Sequence, residues 1–290
     1  MVEKTAQGNN PLQKYFRQPK LYITLPSKGQ FYTQGAIEIP ETGEIPVYSM
    51  TAKDELTFKT PDALLNGQAT VDVIQSCMPS IKNAWQMPSI DLDASLIAIR
   101  MATYGESLTI TTKIPVTGEE KEYALDLRGV LDSFQNLEFI SKIHVADMVV
   151  NLRPLTYQEF TKNAIKTFEE QRIFNLVNDE GVGDEEKLQA FTNSFTKLTE
   201  ITVGMVVQGI ESIEVDGDVV SNRAHIDEFI KNADKEFFGS ILTHLQEQKD
   251  KYSIKPMKVQ ATPEEIAQGV PAEFSVPITF DQSNFFASGS

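Results

Sequence analysis

The chain has 290 residues, 41% apolar and 23% charged, proportions that suit a folded protein with a sizeable core rather than a disordered one. Its 41 Asp and Glu against 26 Lys and Arg give a net charge of −15, which repels phosphate backbones and anionic bilayers and argues against nucleic-acid and membrane partners. One cysteine, Cys77, excludes an internal disulfide framework.

Residues 1–20 are polar, broken by Gly8-Asn9-Asn10-Pro11. They read as a flexible arm whose Lys14, Arg17 and Lys20, with Lys28 beyond, form a solvated basic patch. The first residues lack the apolar run of a secretion signal, and nowhere do the ~18 consecutive apolar residues of a membrane span occur, so a protein made in the cytosol is expected. Short β signals follow at Leu21–Leu25, Ala36–Ile39 and Ile45–Tyr48, with prolines that suit edge strands; the last two read as a hairpin around Glu41-Thr42-Gly43-Glu44.

From Thr51 the pattern turns helical. Thr60-Pro61 opens a helix that stops at Asn66-Gly67, a second runs from Thr70 to Met78, and a third, capped by Asp91 or Asp93, ends at Gly105. Alternation over 106–127 predicts a hairpin, then a helix near 129–137 and a strand near 147–153. Thr156-x-x-Glu159 is a capping box, and Phe160, Ala164, Ile165 and Phe168 share one face of the helix it opens. Leu188, Phe191, Phe195, Leu198, Thr202 and Met205 step by threes and fours into an apolar seam, read as the inside of a bundle in preference to a surface for a partner helix. Val215-Asp216-Gly217-Asp218-Val219 is a tight turn, more helix follows with Ile226, Phe229, Ile230, Phe237, Ile241 and Leu245, and β signals return at 254–259 and 272–280. The two strand–turn–strand units, 106–127 and 254–280, could share one sheet.

The expected fold class is α+β, a region of small mixed sheets and hairpins with short helices plus an inserted helical bundle. The partition is a 1–20 arm, a 21–155 α+β domain, a 156–251 helical bundle, and a 252–290 β segment that packs back on the α+β domain.

No constellation of catalytic, cofactor or metal type stands out, and the chain reads as a non-enzyme. His144, His225 and His244 are isolated from one another and from Cys77, which follows an apolar helical run and reads as a buried thiol. Asp91-x-Asp93 imitates a metal-binding acidic pair but sits where a helix begins, so capping is the better reading. Asp216-Gly217-Asp218 lacks the spaced oxygens of a calcium loop, and Gly181-Val182-Gly183 is followed by three acids where a phosphate loop wants bare amides. A glycosidase carboxylate pair remains an alternative that no two residues single out. Phe285-Phe286 are hard to keep solvated and dock either on the chain's own sheet or on a neighbouring subunit.

Tyr48–Leu56, Lys59–Gly67 and Val73–Cys77, continuing into 91–105, resemble the T-even phage baseplate hub protein family, as do Leu25-Pro26-Ser27-Lys28-Gly29 and Ile278–Phe286. The resemblance implies a structural component or assembly factor of a contractile-tail baseplate hub, made in the host cytoplasm, with other baseplate and tail proteins as partners. It also implies an interface, for which Asp54, Glu55 and Asp62, with Phe285 and Phe286, are the candidates, the acids facing basic residues of another subunit. Some members carry paired cysteines in the two hairpin regions. Here Ile114-Pro115-Val116-Thr117-Gly118 fills the first and the second has no cysteine, so no metal is expected. A tail-associated cell-wall hydrolase and a binding module unconnected with phage are the alternatives.

Overall fold

The computed structural model describes residues 12, 15–58, 60, 67–177 and 184–278, and their elements gather around two main apolar cores and a smaller third. In the first core, β1 (Pro19–Ile23) pairs antiparallel with β2 (Ile45–Tyr48), Ile23 opposite Ile45. Ala36–Ile39 does not form the expected hairpin with Ile45–Tyr48. Pro40 removes the amide that a continuing ladder needs, and Ile37 bridges Ile81 instead. α1 (Ala52–Phe58) is closed at its start by Thr51 and Asp54, which exchange backbone-to-side-chain bonds of 2.8 and 3.2 Å.

The helix expected from Pro61 lies outside the described residues. α2 (Gln68–Cys77) begins after Gly67, whose φ of +80° and close neighbours Tyr157, Thr161 and Trp85 leave no room for a Cβ. α3 (Leu92–Tyr104) has 9 buried residues of 13, apolar nearly all round, which places it at the centre of this core. It stops, as expected, at Gly105, φ +92°.

β3 (Ser107–Lys113) and β4 (Glu120–Asp126) form the expected hairpin. α4 (Leu127–Asp132) is shorter than the helix expected at 129–137, and starts earlier because the Asp126 carboxylate accepts the Arg128 amide at 2.9 Å.

The second core is a four-stranded antiparallel sheet in the order β5 (Lys142–Val145), β6 (Met148–Leu152), β7 (Ile210–Val215), β8 (Asp218–Val220). Between β6 and β7 the chain makes a helical hairpin, α5 (Tyr157–Val177) and α6 (Asp184–Gly209). α7 (Arg223–Asn232) and α8 (Lys235–Lys251) cover the sheet with Ile226, Ile230, Phe237 and Ile241. The interval 156–251, expected as helices, therefore also supplies two strands. Asp216 and Gly217 turn between them with φ of +51° and +87°, the two-residue geometry that Asp-Gly favours.

β9 (Met257–Gln260), α9 (Pro263–Ala267) and β10 (Glu273–Val276) close the described chain. The two hairpins do not share a sheet: β3–β4 and β9–β10 are separate two-stranded ladders. Side chains join them, with Ile114, Val270, Phe274 and Val276 buried between and the Tyr123 and Phe274 rings edge to face at 6.3 Å. No helix among the described residues is long and apolar enough to cross a membrane.

Candidate protein interface

The α5–α6 hairpin starts from a rigid root. Thr156 and Glu159 form the expected capping box, the Thr156 amide donating to Glu159 at 2.9 Å and the Glu159 amide to Thr156 Oγ1 at 3.2 Å. Arg153 grips the same carboxylate with two bonds of 2.8 and 2.7 Å; burial pushes the Glu159 carboxyl up, but the bonds and charge of Arg153 together with the Thr156 bonds hold it below its ordinary range. At the other end of the hairpin's root, Arg223 Nη1 donates to the carbonyls of Val207 and Ile210 and ties α6 to α7.

Between the two helices lie polar and small side chains. Asn163 donates to Gln208 at 2.8 Å, Lys197 pairs with Glu170 at 2.9 Å, and Ser194 is only 2% exposed. Glu170 is buried, and its Oε2 has no hydrogen-bond partner among the described residues. The large apolar side chains point the other way. Phe168 is 63% exposed, Leu188 67% and Phe195 65%, with Ile173 and Phe191 also exposed. The seam expected inside a bundle is therefore, over its first half, on the surface. Only further along α6 do Val206 and Val207 enter the second core. Likewise, Phe160, Ala164 and Phe168 of the predicted α5 face are exposed and Ile165 is half-buried.

A hairpin with polar residues inside and phenylalanines outside inverts the order that water imposes. The five exposed side chains together present on the order of 500 Å² of apolar surface to solvent.

The acidic candidates stand elsewhere. Asp54, expected on an interface, is buried: its carboxylate takes bonds from Thr51, from the Ser76 hydroxyl at 3.0 Å, and the charge of Arg17 at 3.5 Å. Arg17 itself, expected in a solvated arm, also donates to the Ser49 and Ser76 carbonyls and lies 3.7 Å from Cys77 Sγ. No local pattern announces this clamp, because its partners lie 32 to 60 residues away. Cys77 is fully buried, and burial, then the charge of Asp54, push its thiol up to about 12. Glu55 is half-buried beside Tyr104, whose phenol is raised first by burial and then by the Glu55 charge and hydrogen bond. Asp62, Phe285 and Phe286 lie outside the described residues.

Asp91 caps nothing with its side chain. Fully buried, it accepts the Ser27 amide at 2.7 Å, the Ser27 hydroxyl, and the Tyr32 hydroxyl at 3.0 Å, pinning the turn after β1 to the start of α3. Burial lifts its carboxyl to about 6 against the pull of those donors. The histidines do not converge: His144 and His225 are exposed, and His244 contacts the Ile140 carbonyl at 2.9 Å. Among the described residues no group of three His, Cys, Asp or Glu side chains gathers for a metal ion.

The family described as T4 bacteriophage base plate protein matches the chain over residues 17–267. No curated protein and no solved structure matches it.

Proposed function

The chain belongs to the T4 bacteriophage base plate protein family, and from that premise we propose that it is a component or assembly factor of the hub of a contractile-tail baseplate. On this reading it works in the host cytoplasm during assembly, through contacts with other baseplate and tail proteins and without catalysis. The observation that carries the contact reading is the outward apolar face of the α5–α6 hairpin at Phe168, Leu188 and Phe195. Covering that face returns on the order of 10 kcal/mol of gross hydrophobic free energy, comparable to the cost of associating two proteins. A partner that adds its own apolar and polar contacts therefore binds stably.

Tails produced without the protein test this reading. Incomplete or missing baseplates are the expected outcome, rescued by the parent chain but not by Phe168→Ser with Phe195→Ser. Normal, infectious tails in its absence would sink it, as would lysis of peptidoglycan by the purified chain. Mass spectrometry of purified particles separates a resident component from an assembly factor.

A further inference from the structure

Where the two cores meet, the surface folds into a crevice of about 280 Å³. One wall is the start of α3, with Leu92 and Asp93; the others are the end of α6, with Met205 and Val206, and α8, with Leu242 and Leu245. Phe160 and Leu242 line it while remaining partly exposed to solvent. The volume falls just below the roughly 300–1,000 Å³ of small-molecule sites and suits a large side chain better than a cofactor.

Two polar groups in this apolar setting have no partner. Tyr252 lines the crevice at 4% exposure, and its hydroxyl makes no hydrogen bond among the described residues. Asp93 is half-buried, makes no ion pair or hydrogen bond among the described residues, and is pushed up to about 6 by burial. Arg153 at the same crevice is held by Glu159, and the exposed Lys249 makes no ion pair with Asp93 among the described residues. An apolar hollow with one uncompensated carboxylate fits an apolar anchor with a cation beside it, and the net charge of −15 draws such segments in.

We propose that this crevice docks a segment of another tail protein that inserts one leucine- or phenylalanine-sized side chain and sets a lysine or arginine against Asp93. The proposal rests on the reading of the chain as a contact protein and adds a second, chemically distinct contact to the hairpin face. The test is to select random displayed peptides on the full chain and titrate the enriched ones by fluorescence anisotropy.

Enrichment of Leu or Phe next to Lys or Arg is expected. Binding should weaken about tenfold or more with Leu242→Glu and with Asp93→Asn, and stay unchanged with Phe195→Ser. Thermal melts confirm that the variants fold, and Leu242→Ala replaces Leu242→Glu if the latter melts early. Peptides without a basic residue, or peptides that bind the Leu242 variant as tightly as the parent, overturn the proposal. Failure here with defective tails in the deletion experiment removes the crevice alone. Normal tails in that experiment remove the baseplate reading itself.

Discussion

Helices α3 and α6 carry long apolar runs, yet they meet water in opposite ways. Most of α3 is covered, by β1, β2, α2 and α4, and the buried Ser95 donates to the Asp91 carbonyl at 2.7 Å. Leu188, Phe191 and Phe195 in the first half of α6 stay exposed, and the bonds that tie α5 to α6 are polar, Glu170 to Lys197 and Asn163 to Gln208. The first region is closed on itself. The second has its apolar surface laid out for something that is not part of the described chain. On the proposed function, stability and association belong to different parts of one molecule, and a substitution in one should leave the other nearly untouched.

The sharpest test of that separation is Ile99→Ala against Phe195→Ala. Ile99 is fully buried in the first core, so its truncation should cost about 3–4 kcal/mol in denaturant unfolding. Phe195→Ala should stay within about 0.5 kcal/mol; equal losses would break the comparison. Arg17→Ala comes next. It leaves the buried Asp54 carboxylate without its guanidinium and should cost about 2 kcal/mol, with faster amide exchange in α1 and α2.

Asp93→Asn probes the seam between the cores. Because burial raises the folded-state carboxyl to about 6, its stabilising contribution is complete below the ordinary carboxylate range and is lost as pH rises through 6. The variant should therefore be more stable than the parent by up to about 3 kcal/mol at neutral pH, with the gain disappearing near pH 4. A pH-independent difference would assign Asp93 another role. The smallest expected effect on stability is that of Phe168→Ser with Phe195→Ser, within about 0.5 kcal/mol. The same variant should bind markedly less of an apolar dye such as anilinonaphthalene sulfonate, and an unchanged signal would move the accessible apolar surface elsewhere.

Much of the α+β character was legible along the chain. The stop at Gly105, the Thr156–Glu159 box and the Asp216-Gly217 turn rest on interactions within a few residues, and the β3–β4 hairpin on neighbouring stretches of chain, where spacing is a physical constraint. Elements defined by distant partners were not. β5 and β7 join β6 in one sheet although helices α5 and α6 lie between β6 and β7 in the chain. Asp91 looked like a cap because it stands at a helix start, but the Ser27 amide and the Tyr32 hydroxyl, both far earlier in the chain, compete for it and win.

The candidate site divides the same way. Sequence by itself determined that α6 would carry a stripe of leucines and phenylalanines, since a 3.6-residue period places them on one face whatever surrounds the helix. Only the tertiary structure decided which way that stripe looks. The pairing of Glu170 with Lys197 and of Asn163 with Gln208 occupies the inner side of the hairpin, and the apolar stripe is thereby turned towards solvent. Periodicity fixes the relative angle of side chains about a helix axis; the neighbours that other parts of the chain supply fix its absolute direction.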